Sequence, residues 1–296
     1  MPTGHVPAAL QPGALLQLLK PITWFPPMWA FACGVVASGA HRGAWPRDLL
    51  GLILAGPLVC GASQVVNDWF DRDVDAINEP DRPIPSGRVP GRWGLWFAIG
   101  WTALAAVAAL PLGRWGFGAV VLALALAWAY SAPPLRLKRN GWWGNASVGL
   151  SYEGLAWITG ASLLVATPRP APTSLALALL YSIGAHGIMT LNDFKAIDGD
   201  RRMGIGSLPV RLGVDRAALV ASVAMGGVQI AVIALLIAWG HPRAAAAVGV
   251  LLLVQVTMMR RFLRDPRAHA LWYSAAGVPF YVAGMMVSAV AVRSAG

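Results

Sequence analysis

Two acidic runs carry the chemistry of this chain: Asn67-Asp68-Trp69-Phe70-Asp71-Arg72-Asp73-Val74-Asp75 and Asn192-Asp193-Phe194-Lys195-Ala196-Ile197-Asp198-Gly199-Asp200. On a helix turning about 100° per residue, Asn67, Asp68, Asp71 and Asp75 share one face, and so do Asn192, Asp193, Ala196 and Asp200. Asp73 and Asp198 point elsewhere. Carboxylates crowded this way repel by about 3 kcal/mol per pair at ~5 Å and an effective dielectric of ~20 unless cations lie between them. Both faces therefore ask for a divalent metal, and their all-oxygen donor set suits Mg2+.

The elements that must hold these faces are membrane helices. With 57% hydrophobic residues, 12% charged, 14 tryptophans and a mean hydropathy of +0.59, the chain lies outside the soluble range. About nine spans are expected, near 22–40, 49–69, 93–112, 115–132, 146–166, 174–193, 215–238, 244–262 and 271–292, since a bilayer takes roughly 20 apolar residues per helix. Only Gly113-Arg114 divides the third from the fourth. The expectation is an all-α polytopic protein forming one domain over 1–296, with a short cytoplasmic tail at 1–19 that has no secretory-signal pattern. Cys33 and Cys60 fall inside apolar segments and read as small buried hydrophobes.

Each acidic run closes a span, the second and the sixth, so the bundle reads as two four-helix repeats plus one further helix. An even repeat keeps both runs on one membrane face. Most of the 23 basic residues fall on that face, which the positive-inside rule makes cytoplasmic. The N-terminus lies on the same side and the C-terminus opposite. A net charge of +10 then reports topology and attraction to anionic lipid, with no nucleic acid implied.

Basic residues in the neighbouring loops say what the metal would bridge. Arg82 lies in Asp81-Arg82-Pro83-Ile84-Pro85-Ser86-Gly87, and Lys138 and Arg139 follow Tyr130-Ser131-Ala132-Pro133-Pro134. Prolines stiffen both loops. Mg2+ is typically shared between a few carboxylates and substrate phosphates, which points to a diphosphate held by Arg82, Lys138 and Arg139, with Arg72 and Tyr130 as further candidates. A metal-bound diphosphate is a leaving group, so an allylic C–O bond can ionise inside a water-excluding helical bundle.

The run at 67–75 followed by Asp81-Arg82-Pro83-Ile84-Pro85-Ser86-Gly87 closely resembles the intramembrane prenyltransferases of the UbiA type, from about Leu15 to the C-terminus. That resemblance implies a nine-helix, magnesium-dependent enzyme in a bacterial inner (cytoplasmic or intracytoplasmic) membrane. Lys20-Pro21-Ile22-Thr23-Trp24, Arg136-Leu137-Lys138-Arg139-Asn140-Gly141-Trp142-Trp143 and the second acidic run look like the chlorophyll synthase branch. Tyr152-Glu153-Gly154-Leu155-Ala156-Trp157 looks like its bacteriochlorophyll members. The implied reaction is esterification of the propionate of (bacterio)chlorophyllide with geranylgeranyl or phytyl diphosphate, with other pigment-pathway or photosystem-assembly proteins as partners. Asn67, Asp68, Asp71, Asp75, Asp193 and Asp200 are the implied Mg2+ ligands, with Asn192 a weaker one. Many superfamily members carry aspartates every four residues in the second run, whereas this chain has Asn192, Ala196 and Asp200.

Three intramembrane residues stand apart. Glu153 is an ionisable group inside a span, a functional position or a bundle-internal hydrogen-bond partner. His186 shares a helical face with Asp193 and reads either as a ligand to a pigment's central metal or as a core histidine bonded to a carbonyl. Trp157 either lines a tetrapyrrole site or packs. Other functions compatible with the pattern are a quinone, haem or lipid prenyltransferase, an ion-coupled transporter, and a structural pigment-binding protein. Acids at helix ends on one face, away from mid-membrane, speak against the transporter.

Overall fold

The computed structural model describes residues 11–39, 45–163 and 169–293. The first half of the expected tail, Arg42, the ends of the first and fifth expected spans and the last three residues lie outside them. The described residues are helical, with no strand and one isolated bridge, Asn140 to Gly206. The helices are α1 (Pro12–Leu18), α2 (Phe25–Ala37), α3 (Trp45–Asn78), α4 (Trp93–Ala108), α5 (Gly113–Ser131), α6 (141–162), α7 (Pro172–Asp193), α8 (Ile197–Arg202), α9 (Leu208–Leu212), α10 (Val214–Ala238), α11 (Pro242–Arg264) and α12 (Pro266–Ala291).

Among the described residues, six helical stretches are long and apolar enough to cross a membrane, with α4 and α5 together forming one of them, Trp93–Ser131. As a single rod its 39 residues would reach about 58 Å, nearly twice the hydrocarbon thickness. Gly113 breaks it. Its φ of +70° is a conformation that costs glycine little and any other residue more, and α3 packs against both halves. The shorter α2 and the interrupted α6 occupy the first and fifth expected spans. The protein is an integral membrane protein built from α-helices.

Two helices leave regular α geometry inside the bundle. Pro57 lacks an N–H and its ring presses on the preceding turn, and α3 widens into a π-helical stretch over Leu54–Cys60 around it. A second π-helical stretch, Leu150–Leu155, interrupts α6. The two meet where the Tyr152 hydroxyl receives hydrogen bonds from Gln64 Nε2 (2.9 Å) and Cys60 Sγ (3.2 Å). Cys60 is buried, as its apolar setting predicts.

Close approach of α2 to α6 fixes this part of the bundle. In lipid, helices gain no hydrophobic drive to associate, so small residues that let backbones touch decide the packing. A Cβ at Gly34 would overlap the Trp157 carbonyl, and one at Gly160 the Phe31 carbonyl. Gly160→Val is therefore expected to force α2 off α6 and to destabilise the bundle by about 1–3 kcal/mol or more. Gly227→Ala, on an open stretch of α10, is expected to leave the melting temperature of the detergent-solubilised protein unchanged. Thermal unfolding of the two variants side by side checks the contrast.

Candidate active site

The C-terminal end of α3 carries Asp68, Asp71 and Asp75 at spacings of three and four residues, so all three emerge on one face. Asp68 and Asp75 are buried, at 2% and 7% exposure. Four cations reach them from three separate segments. Lys20 Nζ lies 2.6 Å from Asp68 Oδ1. Arg82 Nη1 lies 2.8 Å from Asp75 and 3.5 Å from Asp68, while its Nε and Nη2 grip Glu79 at 2.6 and 2.8 Å. Lys138 Nζ lies 2.5 Å from Asp71, and Arg136 Nη2 lies 3.4 Å from the same oxygen. Burial lowers the ammonium pKa of Lys138 from its ordinary value, against the opposing pull of Asp71.

Backbone strain accompanies two of these cations. Lys20 (φ 45°) and Arg136 (φ 39°) are the described non-glycine residues with positive φ, a region that disfavours residues bearing a Cβ. Such strain persists where surrounding contacts over-determine it. Here both residues belong to the ion-pair cluster on α3.

Asp73 points away from the cluster, its side chain 84% exposed. Arg72 follows it: the guanidinium stacks over Trp69 at 4.4 Å, donates to the Trp69 carbonyl and sits 3.6 Å from Asp73. The structure therefore places Arg72 outside the cluster, because a residue next to Asp71 in sequence lies about 100° round the helix. Arg139 is exposed, and its carbonyl accepts from Gly206 N–H at 2.9 Å.

The second run does not continue as one helix. The helix α7 ends at Asp193, a turn follows, and Asp200 sits buried on the separate helix α8. The shared helical face expected for Asn192 and Asp200 is thus replaced by the end of one long helix and a separate short one. Asp193 accepts from Asn145 Nδ2 at 3.0 Å, and that amide also reaches Thr190 Oγ1 at 3.2 Å. Burial pushes the carboxyl of Asp200 up. Asp198 turns outward to Arg267 at 2.6 Å.

Both runs meet in one space. A cavity of about 330 Å3 has Asn67 and Asn192 in its lining together with Tyr130. Tyr130 lies within electrostatic reach of Asp71 in the first run and of Asp193 and Asp200 in the second. Behind the cavity mouth, Gly141 N–H donates to the Gly206 carbonyl at 2.8 Å, tying the Lys138 loop to the segment after α8. The remaining lining is mostly apolar side chains of α3, α5, α6 and α7.

Among the described residues no three His, Cys, Asp or Glu side chains gather closely enough to hold a metal by themselves. The donor set nevertheless fits Mg2+, which is commonly bound by one or two carboxylates with substrate phosphates completing its shell. Carboxylates whose partners are exchangeable lysines and arginines, beside a polar cavity mouth, suit that shared mode.

Sequence reasoning placed Asp68, Asp71, Asp75, Arg82 and Lys138 where the structure clusters them. It missed Lys20, Arg136 and Asn145 as members of the site. Arg136 could have been found from its place two residues before Lys138. Lys20 could have been found from its place at the head of the Lys20-Pro21-Ile22-Thr23-Trp24 motif. His186 and Trp157 do not line the cavity. His186 packs its ring against Trp142, with centroids 5.4 Å apart, and Trp157 is fully buried, donating to Ser174 Oγ at 2.9 Å and stacking on Tyr181. Those two are packing residues between helices.

The structure is a helical membrane bundle in which two acidic segments border one largely apolar cavity, the first of them paired with four cations. The UbiA prenyltransferase family model matches residues 26–290, and the chain belongs to that family and is a prenyltransferase. It is 55% identical over 98% of its length, and 96% of the relative's, to the bacteriochlorophyll synthase 33 kDa chain of Cereibacter sphaeroides. To the chloroplastic chlorophyll synthase of Arabidopsis thaliana it is 40% identical, over 93% of this chain and 73% of that one. Among solved structures, one of a digeranylgeranylglyceryl phosphate synthase has a TM-score of 0.75 at 19% identity, covering 94% of this chain and 98% of that one. A UbiA homolog from Archaeoglobus fulgidus bound to GPP and Mg2+ has a TM-score of 0.67 at 20% identity, covering 95% and 99%.

The opposite orientations of neighbouring aspartates give a contrast. Asp71→Asn is expected to lower turnover by about a hundredfold or more with the melting temperature kept. Asp73→Asn, on the solvent side, should change turnover by no more than about twofold. Steady-state kinetics of both variants decide whether face or mere acidity matters.

Proposed function

We propose that the protein esterifies the propionate of bacteriochlorophyllide with geranylgeranyl or phytyl diphosphate, releasing diphosphate. The observation that carries this reading is one cavity with mostly apolar walls, lined by Asn67 of the first acidic run and Asn192 of the second, Asn67 lying on the helix whose Asp68, Asp71 and Asp75 are paired with Lys20, Lys138 and Arg82. High identity to a bacteriochlorophyll synthase chain along nearly the whole length supports the choice of acceptor.

Chemistry follows from charge. The C–O bond between the allylic carbon and the diphosphate breaks with its electron pair leaving on oxygen, and a carboxylate oxygen of the acceptor forms the new C–O bond. The acceptor is already an anion, so no general base is needed. Charge develops on the departing diphosphate, and Lys20, Arg82, Arg136 and Lys138, all now paired to aspartates, are placed to transfer their attention to it. Mg2+, when bound, supplies Lewis-acid stabilisation of that leaving group. Asp68, Asp71, Asp75, Asp193 and Asp200 would hold it, with Asn67 and Asn192 as neutral oxygen donors. The apolar walls exclude water that would otherwise capture the allylic carbon.

This reading orients the protein with its acidic helix ends and N-terminal segment on the cytoplasmic side of a bacterial inner membrane, where a soluble diphosphate can leave. The flanking basic residues support that orientation.

Purified protein supplied with Mg2+, geranylgeranyl diphosphate and bacteriochlorophyllide is expected to yield esterified pigment. A chelator should abolish the yield and added Mg2+ restore it; no ester under any of these conditions sinks the reading. Lys138→Ala should raise KM for the prenyl diphosphate about tenfold and leave KM for the pigment nearly unchanged. Equal rises for both substrates would remove Lys138 from the diphosphate site.

A further inference from the structure

The two acidic runs hold their aspartates by different means. In the first, the carboxylates pair with lysines and arginines; in the second, the ion pair falls on the outward Asp198. Asp193 instead receives a neutral donor, Asn145 Nδ2, at 3.0 Å. Asn145 comes from α6 and is 5% exposed, and an amide buried between helices is costly unless it is hydrogen-bonded. Seating α6 on α7 falls to Gly149, where a Cβ would overlap the Ser182 carbonyl. The amide at Asn145 therefore answers to its polar partners.

Those partners fix its direction. Nδ2 also donates to Thr190 Oγ1 at 3.2 Å, and the Thr190 hydroxyl spends its own proton on the His186 carbonyl at 2.9 Å. Turned over, Asn145 would set its carbonyl oxygen against two acceptors, the Asp193 carboxylate and a hydroxyl with no proton left to give. Thr190 is fully buried on α7, one turn before Asp193. A lysine in the place of Asn145 would cancel the charge of the carboxylate and would have to leave before another cation could take over. A neutral donor can stay. Partners of this kind orient the side chains that hold a metal, and losing one typically costs about 10–100-fold in metal affinity.

We propose that Asn145 is a positioning residue for the second acidic run: aimed by Thr190, its amide holds the Asp193 carboxylate in place to meet a divalent cation, with no protein cation to displace. This assignment rests on the reading of a metal-bound diphosphate given above and names the residues that prepare one of its ligands. Neither Asn145 nor Thr190 touches the metal or the substrates. Both act through Asp193, so their loss is felt as weaker metal binding, with the chemical step itself intact once metal is bound.

The test uses full-length protein in detergent with inorganic diphosphate and Mn2+, a paramagnetic stand-in for Mg2+ whose free concentration is read by electron paramagnetic resonance. Asn145→Leu keeps the volume and removes the donor, and is expected to raise the Kd for Mn2+ about tenfold. In turnover assays the half-saturating Mg2+ concentration should rise about tenfold as well, with kcat returning to within about twofold of wild type at saturating Mg2+. Thr190→Val removes only the hydroxyl. It should raise the Kd about threefold in the wild-type background and no further in Asn145→Leu, because it acts through the amide. An unchanged Kd in Asn145→Leu overturns the assignment, and so does an additive loss in the double variant or a fall in kcat that saturating Mg2+ does not restore. If Asn145→Leu fails to fold, Thr190→Val decides by the same measurement, an unchanged Kd counting against the assignment. Wild type that shows these shifts and yet forms no ester supports this assignment and overturns the esterification reading alone. Wild type that binds no Mn2+ in the presence of diphosphate overturns both.

Discussion

Three carboxylates on one face of α3 cannot share a partly buried helix end without positive charge between them. At an effective dielectric of ~20 each pair at ~5 Å repels by about 3 kcal/mol, and Asp68 and Asp75 have little water to screen them. The chain answers with cations drawn from the segment before α2, the loop after α3 and the loop after α5. Each of those segments is held where its cation is needed, by left-handed backbone at Lys20 and Arg136 and by prolines around Arg82. The loops at this end of the bundle are therefore organised by electrostatics, while the helices beneath them are organised by close packing.

That arrangement also suits the proposed exchange of partners on binding a diphosphate. Carboxylates and ammonium groups satisfy one another now. A ligand that brings its own metal and its own anionic oxygens can take over both halves of each pair, since metal replaces cation at the aspartate and phosphate replaces aspartate at the cation. The Asp193 carboxyl is held differently, by the neutral amide of Asn145, so the two acidic ends are unequal: in the first the buried aspartates are paired with cations, whereas in the second the ion pair falls on the outward Asp198.

What the sequence made legible follows from what local geometry controls. Helical periodicity sorted Asp68, Asp71 and Asp75 from Asp73, and the structure shows Asp73 turned to solvent with Arg72 beside it. Hydropathy located apolar helices. It could not see that α7 stops at Asp193 and that Asp200 returns on α8, because a turn at Phe194–Ala196 carries no proline or glycine to announce it. Nor could it see Lys20 against Asp68, a pair 48 residues apart in the chain and brought together only by tertiary packing. His186 shared a helical face with Asp193 on paper. In the structure Trp142 of α6 covers its ring, and periodicity has no means of knowing which neighbour covers a face.

The two π-helical stretches show a further limit and a consequence. Pro57 hints at a disturbance in α3, but nothing local in Leu150-Ser151-Tyr152-Glu153-Gly154-Leu155 predicts one in α6. Both widenings occur where the helices border the cavity, and Tyr152 bridges them through Cys60, Ser63 and Gln64. A regular helix spaces its side chains every 100°, so one face serves packing and the next serves the cavity. A widened turn shifts that register part-way along. The upper part of α6 can then present Asn145 to the catalytic end while its lower part presents Glu153 to the cavity and Trp157 to the core. On an ideal straight helix Asn145, Glu153 and Trp157 would fall within an arc of about 120° that also holds Gly160, which seats α2, so the widened turn changes how that arc is divided.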